Sequence, residues 1–175
     1  MRPPMRGVIA ALVAIAISFA ISVPATAKTS RNQTFKGVIV ASGASGTREV
    51  VSSVVIAKGV FRGIGRVVEI ADVPGDPANV SRDDLVFPVG SIHIRNVNVD
   101  FSMSLNPKSC NYTIHVQQTG TVEGGTRLFA AATGNFTATV SAFGLARRDL
   151  DGNCTLEQEP LYEVDRFAAS GSLSF

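Results

Sequence analysis

From Cys110 to Val122 the chain alternates. Tyr112, Ile114 and Val116 fall on one parity; Thr113, His115, Gln117, Thr119 and Thr121 fall on the other. A period of two places these sets on opposite faces of an extended strand, one against a core and one in water. Beyond residue 27 no stretch repeats as an amphipathic helix would. The chain is instead rich in Val, Thr, Ser, Ile and Phe, cut at short intervals by Gly, Pro, Asn and Asp. That pattern predicts a meandering antiparallel β-protein.

Strands are expected over Thr34–Ser42, Glu49–Ala57, Val60–Ile70, Leu85–Phe87, Ser91–Leu105, Cys110–Val122, Gly134–Ala146 and Leu161–Phe175. Several run to about 12–15 residues, against a usual 5–6, and such length suits a barrel or strongly coiled sheet. Within Ser91–Leu105 the apolar phase changes from Ile92 and Ile94 to Val97, Val99, Phe101, Met103 and Leu105. A strict period cannot slip by one without a bulge, so a bulge is expected between Arg95 and Asn96. The last strand ends on apolar residues, so it is expected to close the sheet on an early strand. Two polar loops separate strands, one over residues 72–84 and one from Arg147 to Asn153. Long loops at a barrel mouth commonly carry binding function, although plain solvated connections are more frequent.

The N-terminus reads as an export signal. Arg2 and Arg6 precede an uncharged apolar run from Gly7 to Val23, and Ala25-Thr26-Ala27 gives the small-x-small pattern of a cleavage site. A cleaved signal peptide over residues 1–27 and one domain over 28–175 are therefore expected. The alternative, a retained anchor, is disfavoured by a run at the lower edge of spanning length with Pro24 directly after it. No later run is long enough to span a bilayer, so no stable membrane insertion is expected after cleavage. The protein is placed outside the cell or in the cell envelope.

The chain has 16 Lys and Arg against 14 Asp and Glu. Arg2 and Arg6 leave with the signal, so the remainder is balanced. That argues against a nucleic-acid partner, which calls for a basic footprint. Cys110 and Cys154 are the two cysteines, each beside turn residues. In an exported chain an even pair reads as a disulfide. A catalytic thiol would need a group such as a His or a basic pair to activate it, and none lies nearby.

Most catalytic motifs fail on spacing. Val38–Gly46 resembles a strand feeding a phosphate loop, but it lacks Gly-x-Gly-x-x-Gly and is followed by a strand. It reads as a flexible hairpin. Asp149–Asn153 has its glycine in the wrong place for a calcium loop and reads as a polar turn. There are two histidines, His93 and His115, both on polar parities, and no Gly-x-Ser-x-Gly. No metal site and no cofactor are expected.

The carboxylates are more informative. Glu163 and Asp165 alternate with Leu161 and Phe167, and Glu69 alternates with Phe61, Gly63, Gly65 and Val67. All three are therefore placed on the inner face, where a charge must pair or shift its pKa. Arg62 and Arg66 have the opposite parity and reach a partner only around an edge or through a bulge. A polar anchor or general acid/base in an apolar cavity is one reading; a structural ion pair is the plainer one.

From Gln117 to Phe136 a long strand runs into Gly124-Gly125-Thr126, then Phe129, small residues Ala130 to Ala132, and Gly134 opening the next strand. This resembles the allene oxide cyclase and dirigent-like (calycin-like) barrels, including exported bacterial members, over about Val60 to Gly144. The resemblance implies an eight-stranded antiparallel β-barrel with an apolar cavity. It also implies a plug at the barrel end by Phe129. One departure is Arg127, where the family pattern has a further Gly. No catalytic residue of the plant enzymes is carried over. The expected function is binding of a small hydrophobic molecule in the cavity, with Glu163, Asp165 and Glu69 steering it. A cyclase or isomerase, and a filled envelope barrel with no ligand, are the alternatives. The ligand and the oligomeric state, a homo-oligomer included, are left open.

Overall fold

The structure, a computed structural model, describes residues 31–71 and 73–175. The signal peptide expected over residues 1–27 lies outside the described residues, and so does Asp72. The strands are β1 (Arg31–Ser42), β2 (Glu49–Gly59), β3 (Gly63–Ile70), β4 (Val80–Phe87), β5 (Gly90–Leu105), β6 (Asn111–Gly125), β7 (Thr133–Leu145), β8 (Arg147–Arg148), β9 (Cys154–Thr155) and β10 (Tyr162–Ser174). A single 3-10 turn, Arg127–Phe129, stands between β6 and β7.

Eight of these strands close into a barrel in the order β1-β10-β7-β6-β5-β4-β3-β2. Every pairing is antiparallel, and neighbours in sequence are neighbours in space apart from the closing pair β1 and β10. The expected all-β barrel is thus present. Closure removes the exposed edges that an open sheet would offer to other chains. Strands β8 and β9 form a two-stranded ribbon outside it, where only a polar loop was expected.

One end of the barrel is filled with aromatic rings. Phe129 is fully buried and meets Phe61, Phe87 and Phe175 with ring centroids 5.1, 6.1 and 5.1 Å away. Tilted and edge-on pairs of this kind add about 0.5–1.5 kcal/mol each beyond the apolar area they bury. The Gly-Gly turn delivers Phe129 to that position. Gly124 has φ 106, and a Cβ on Gly125 would sit 2.8 Å from the Phe129 carbonyl oxygen. Arg127 also takes a left-handed φ of 52, a conformation that glycine adopts without steric cost.

Two expectations need correction. Val80–Asp84 belongs to β4, not to a loop. Its polar residues hid the strand because Asp83 faces inward to a polar partner, Asn96, while Asp84 faces His93. The phase slip in β5 falls between Asn98 and Asp100, with a second irregularity between Ile92 and Ile94. It is not between Arg95 and Asn96. Asn96 and Asn98 keep the inward parity because both find polar partners, Asn96 on Asp83 and Asn98 on Gln118. The apolar rhythm marked a slip but not its position.

The disulfide joins Cys110 to Cys154 with Cα atoms 5.2 Å apart. It ties the segment between β7 and β10 to the start of β6. A second small core forms around it from Cys110, Tyr112 and Ala146, with Leu105, Ile114 and Leu156 packed against them. Among the described residues no helix is long and apolar enough to cross a membrane.

Candidate functional site

Strand direction sorts the connections into two ends. The turns after β2, β4 and β6 lie at the aromatic plug. The connections after β1, β3, β5 and β7 lie at the opposite end. Both long loops noticed in the sequence are at this second end. So are Glu69, near the end of β3, and Glu163 and Asp165, near the start of β10.

A single cation gathers these three carboxylates. Arg48 closes the hairpin between β1 and β2, just ahead of Glu49. Its Nε donates to Glu163 Oε1 at 3.3 Å and its Nη2 to the same oxygen at 3.1 Å. Nη2 also donates to Asp165 Oδ2 at 2.7 Å, and Nη1 donates to Glu69 Oε2. Tyr112 donates its hydroxyl to Glu163 Oε2. The register explains this reach. Tyr112, Gly144 and Glu163 lie in one row across β6, β7 and β10. Gly144 has no side chain, so the Tyr112 ring lies over it.

The inner-face placement of Glu69, Glu163 and Asp165 is therefore found, and the partner is Arg48 rather than Arg62 or Arg66. Leu161 departs from the expected strand: it lies just before β10 and is partly exposed. Sequence reasoning does not reach Arg48 or the Tyr112 hydroxyl. Arg48 lies in a turn, where parity carries no information, and Tyr112 reads as core. The available signal was the charge itself, since three inward carboxylates require a cation.

Burial, then the charge of Glu163, pushes the Asp165 carboxyl up to about 7. Asp165 is 8% exposed, and its Oδ1 has no hydrogen-bond partner. Burial, then the charge of Glu69, likewise pushes Asp83 up to about 6. Burial and the bond to Glu163 hold the Tyr112 hydroxyl above its ordinary range. Burial lowers the Arg48 pKa, but the three carboxylates outweigh it and hold the guanidinium charged.

Behind this ring lies a cavity of about 360 Å³. Phe35, Ile39, Val67, Leu85, Phe136 and Phe167 line it deeply, and Arg48, Glu69, Asp83, Asn96, Gln118 and Asp165 line its polar part. An apolar chamber of this size with a few convergent polar groups is the usual form of a small-molecule site.

The histidines stand outside this arrangement. His93 pairs with Asp84 at 2.6 Å, and His115 lies 3.0 Å from Ser141 Oγ. The Asp149–Asn153 turn is held by Asp149 Oδ1, which accepts from the Asp151 and Asn153 amides. Among the described residues no group of three or more His, Cys, Asp or Glu is arranged to hold a metal ion. The class these observations define is a closed antiparallel barrel with an internal cavity and a polar mouth. Comparison with protein-family models, with curated proteins and with solved structures finds no match.

Proposed function

We propose that this is an exported barrel that binds a small hydrophobic molecule in its cavity, in the dirigent-like manner that the Gln117–Phe136 pattern resembles. The observation that carries the reading is the cavity of about 360 Å³, apolar within and polar at its mouth. Export is supported by the signal pattern of residues 1–27 and by the disulfide. A filled envelope barrel is the weaker reading, because a chamber of this size is left unpacked.

A second reading, an intramolecular cyclase or isomerase, is favoured by one observation. Asp165, held near 7 beside Glu163, exchanges a proton at neutral pH next to an apolar chamber. Orientation and water exclusion would supply the rest of such catalysis.

Native mass spectrometry of the protein from its own medium, with organic extraction, tests the binding reading. A stoichiometric apolar ligand, or uptake of a hydrophobic probe by the empty protein, supports it. An empty protein that takes up no probe refutes it. Turnover of the extracted compound, lost in Asp165→Asn or Glu163→Gln, would establish the second reading over simple binding.

A further inference from the structure

We propose that the outer wall formed by β10, β1, β2 and β3 docks on an anionic lipid bilayer, an inference independent of what the cavity holds. Residues opposite one another in an antiparallel ladder share a face. Phe35, Ile39, Val55, Val67 and Phe167 belong to the core, so the alternate positions of the same strands point outward. The register sets these outward positions in rows. Arg166, Val38 and Val54 form one row, and Lys36, Ile56 and Ile64 form the next. Phe143, Val164 and Val40 form a third on the mouth side, extending the wall to β7. The result is an apolar band crossed by cations, with Ile64 66% and Phe143 52% exposed.

A second observation concerns charge. Lys36, Lys58, Arg62, Arg66 and Arg166 are exposed, and all lie on this wall or in the turn joining β2 to β3. Among the described residues none of these five side chains forms an ion pair or a hydrogen bond, whereas Arg48 and Arg82 are both paired. The acidic residues of the same strands, Glu69, Glu163 and Asp165, turn inward to Arg48. Glu49, beside Ser42 at the mouth end, is the exception. The near-balance of charge along the chain therefore hides a partition, with this wall strongly positive.

Charge complementarity calls for an anionic partner. A second copy docked wall to wall would set cations against cations. A soluble polyanion would meet the charges but leave the apolar band in water. A bilayer meets both. The Lys and Arg stems lie along apolar surface with their charges among the headgroups, and Phe143, Ile56 and Ile64 enter the acyl boundary. The outside of a barrel is convex, and a headgroup layer yields to it where a rigid partner needs a matching trough.

The test is cosedimentation of the protein recovered from its own medium, its mass checked so that residues 1–27 do not contribute. The vesicles are phosphatidylcholine alone, or phosphatidylcholine with about one-third phosphatidylglycerol. Binding to the anionic vesicles is expected to exceed that to the neutral ones about tenfold in about 0.05 M salt, and to fall about tenfold in about 0.5 M. Lys36→Glu and Arg166→Glu should each cost about tenfold, since each reverses a cation worth about fivefold near such a surface. Lys108→Glu, across the barrel between β5 and β6, should cost no more than about twofold. Ile64→Ser and Phe143→Ser should each cost severalfold. All five positions are exposed, so the variants keep the barrel, which far-UV circular dichroism checks. Equal binding to both vesicle types, binding to neither, or a loss in Lys108→Glu equal to that of the wall variants overturns the inference. Unchanged binding in both serine variants also overturns it, and the partner is then a soluble polyanion.

Discussion

Asp165→Asn isolates the electrostatics of the mouth. The Asp165 side chain is 12% exposed, and its pKa rises from an ordinary 3.8 to about 7 on folding. Folding thus favours its protonated form. For such a group the native state binds more protons than the unfolded state between the two pKa values, so stability falls as pH rises across that window and is flat above it. At about 1.4 kcal/mol per pKa unit the full span is worth about 4 kcal/mol, of which roughly 3 kcal/mol is lost between pH 5 and pH 8. Asp83, raised to about 6, adds roughly 1 kcal/mol over the same range. The wild type should therefore lose about 4 kcal/mol from these two groups between pH 5 and pH 8. An asparagine keeps the shape of Asp165 and an oxygen to accept from Arg48 Nη2, but it does not ionise. Arg48 keeps Glu163 and Glu69 as counter-charges. In Asp165→Asn the loss should shrink to about 1 kcal/mol, that of Asp83 alone. Because the chain has no Trp, urea unfolding is best followed by far-UV circular dichroism at the two pH values. Equal pH slopes in wild type and variant would refute the assignment, because Asp165 would then be ionised throughout.

Three further outcomes are expected. Tyr112→Phe removes the hydroxyl that donates to Glu163 and should destabilise by about 1–3 kcal/mol, read from the urea midpoint, because a buried charged acceptor loses its donor. The double variant Cys110→Ala/Cys154→Ala should lose about 3–4 kcal/mol, the chain-entropy value for a loop of about 45 residues, with a matching fall in Tm. Arg127→Gly should stabilise by about 1 kcal/mol, because the left-handed φ of 52 is free to glycine, although the Nη1 bond to the Pro88 carbonyl is given up.

The carboxylates show where legibility ended. Glu163 and Asp165 are placed inside by alternation with Phe167, a local property that survives any tertiary arrangement. Their partner was not legible, because Arg48 is at a turn and meets β3 and β10 only when the hairpin folds over the mouth. The β4 strand reads short for a related reason. Its polar half, Ser81 to Asp84, looks like loop until Asn96 and His93 stand opposite. The Tyr112 hydroxyl depended on Gly144 lying between it and Glu163, a row set by the pairing of three strands.

By itself the sequence determined that this chain forms long alternating strands, that two cysteines pair, and that three acidic residues turn inward. Each follows from a period of two or from composition, and none requires knowing which strand meets which. Only the tertiary structure decided the closing pair's register, the site of the β5 slip, the cavity behind Arg48 and the unpaired oxygen of Asp165. Those depend on contacts between residues far apart in the chain. Arg48 and Asp165 become neighbours only when β1 and β10 pair to close the barrel.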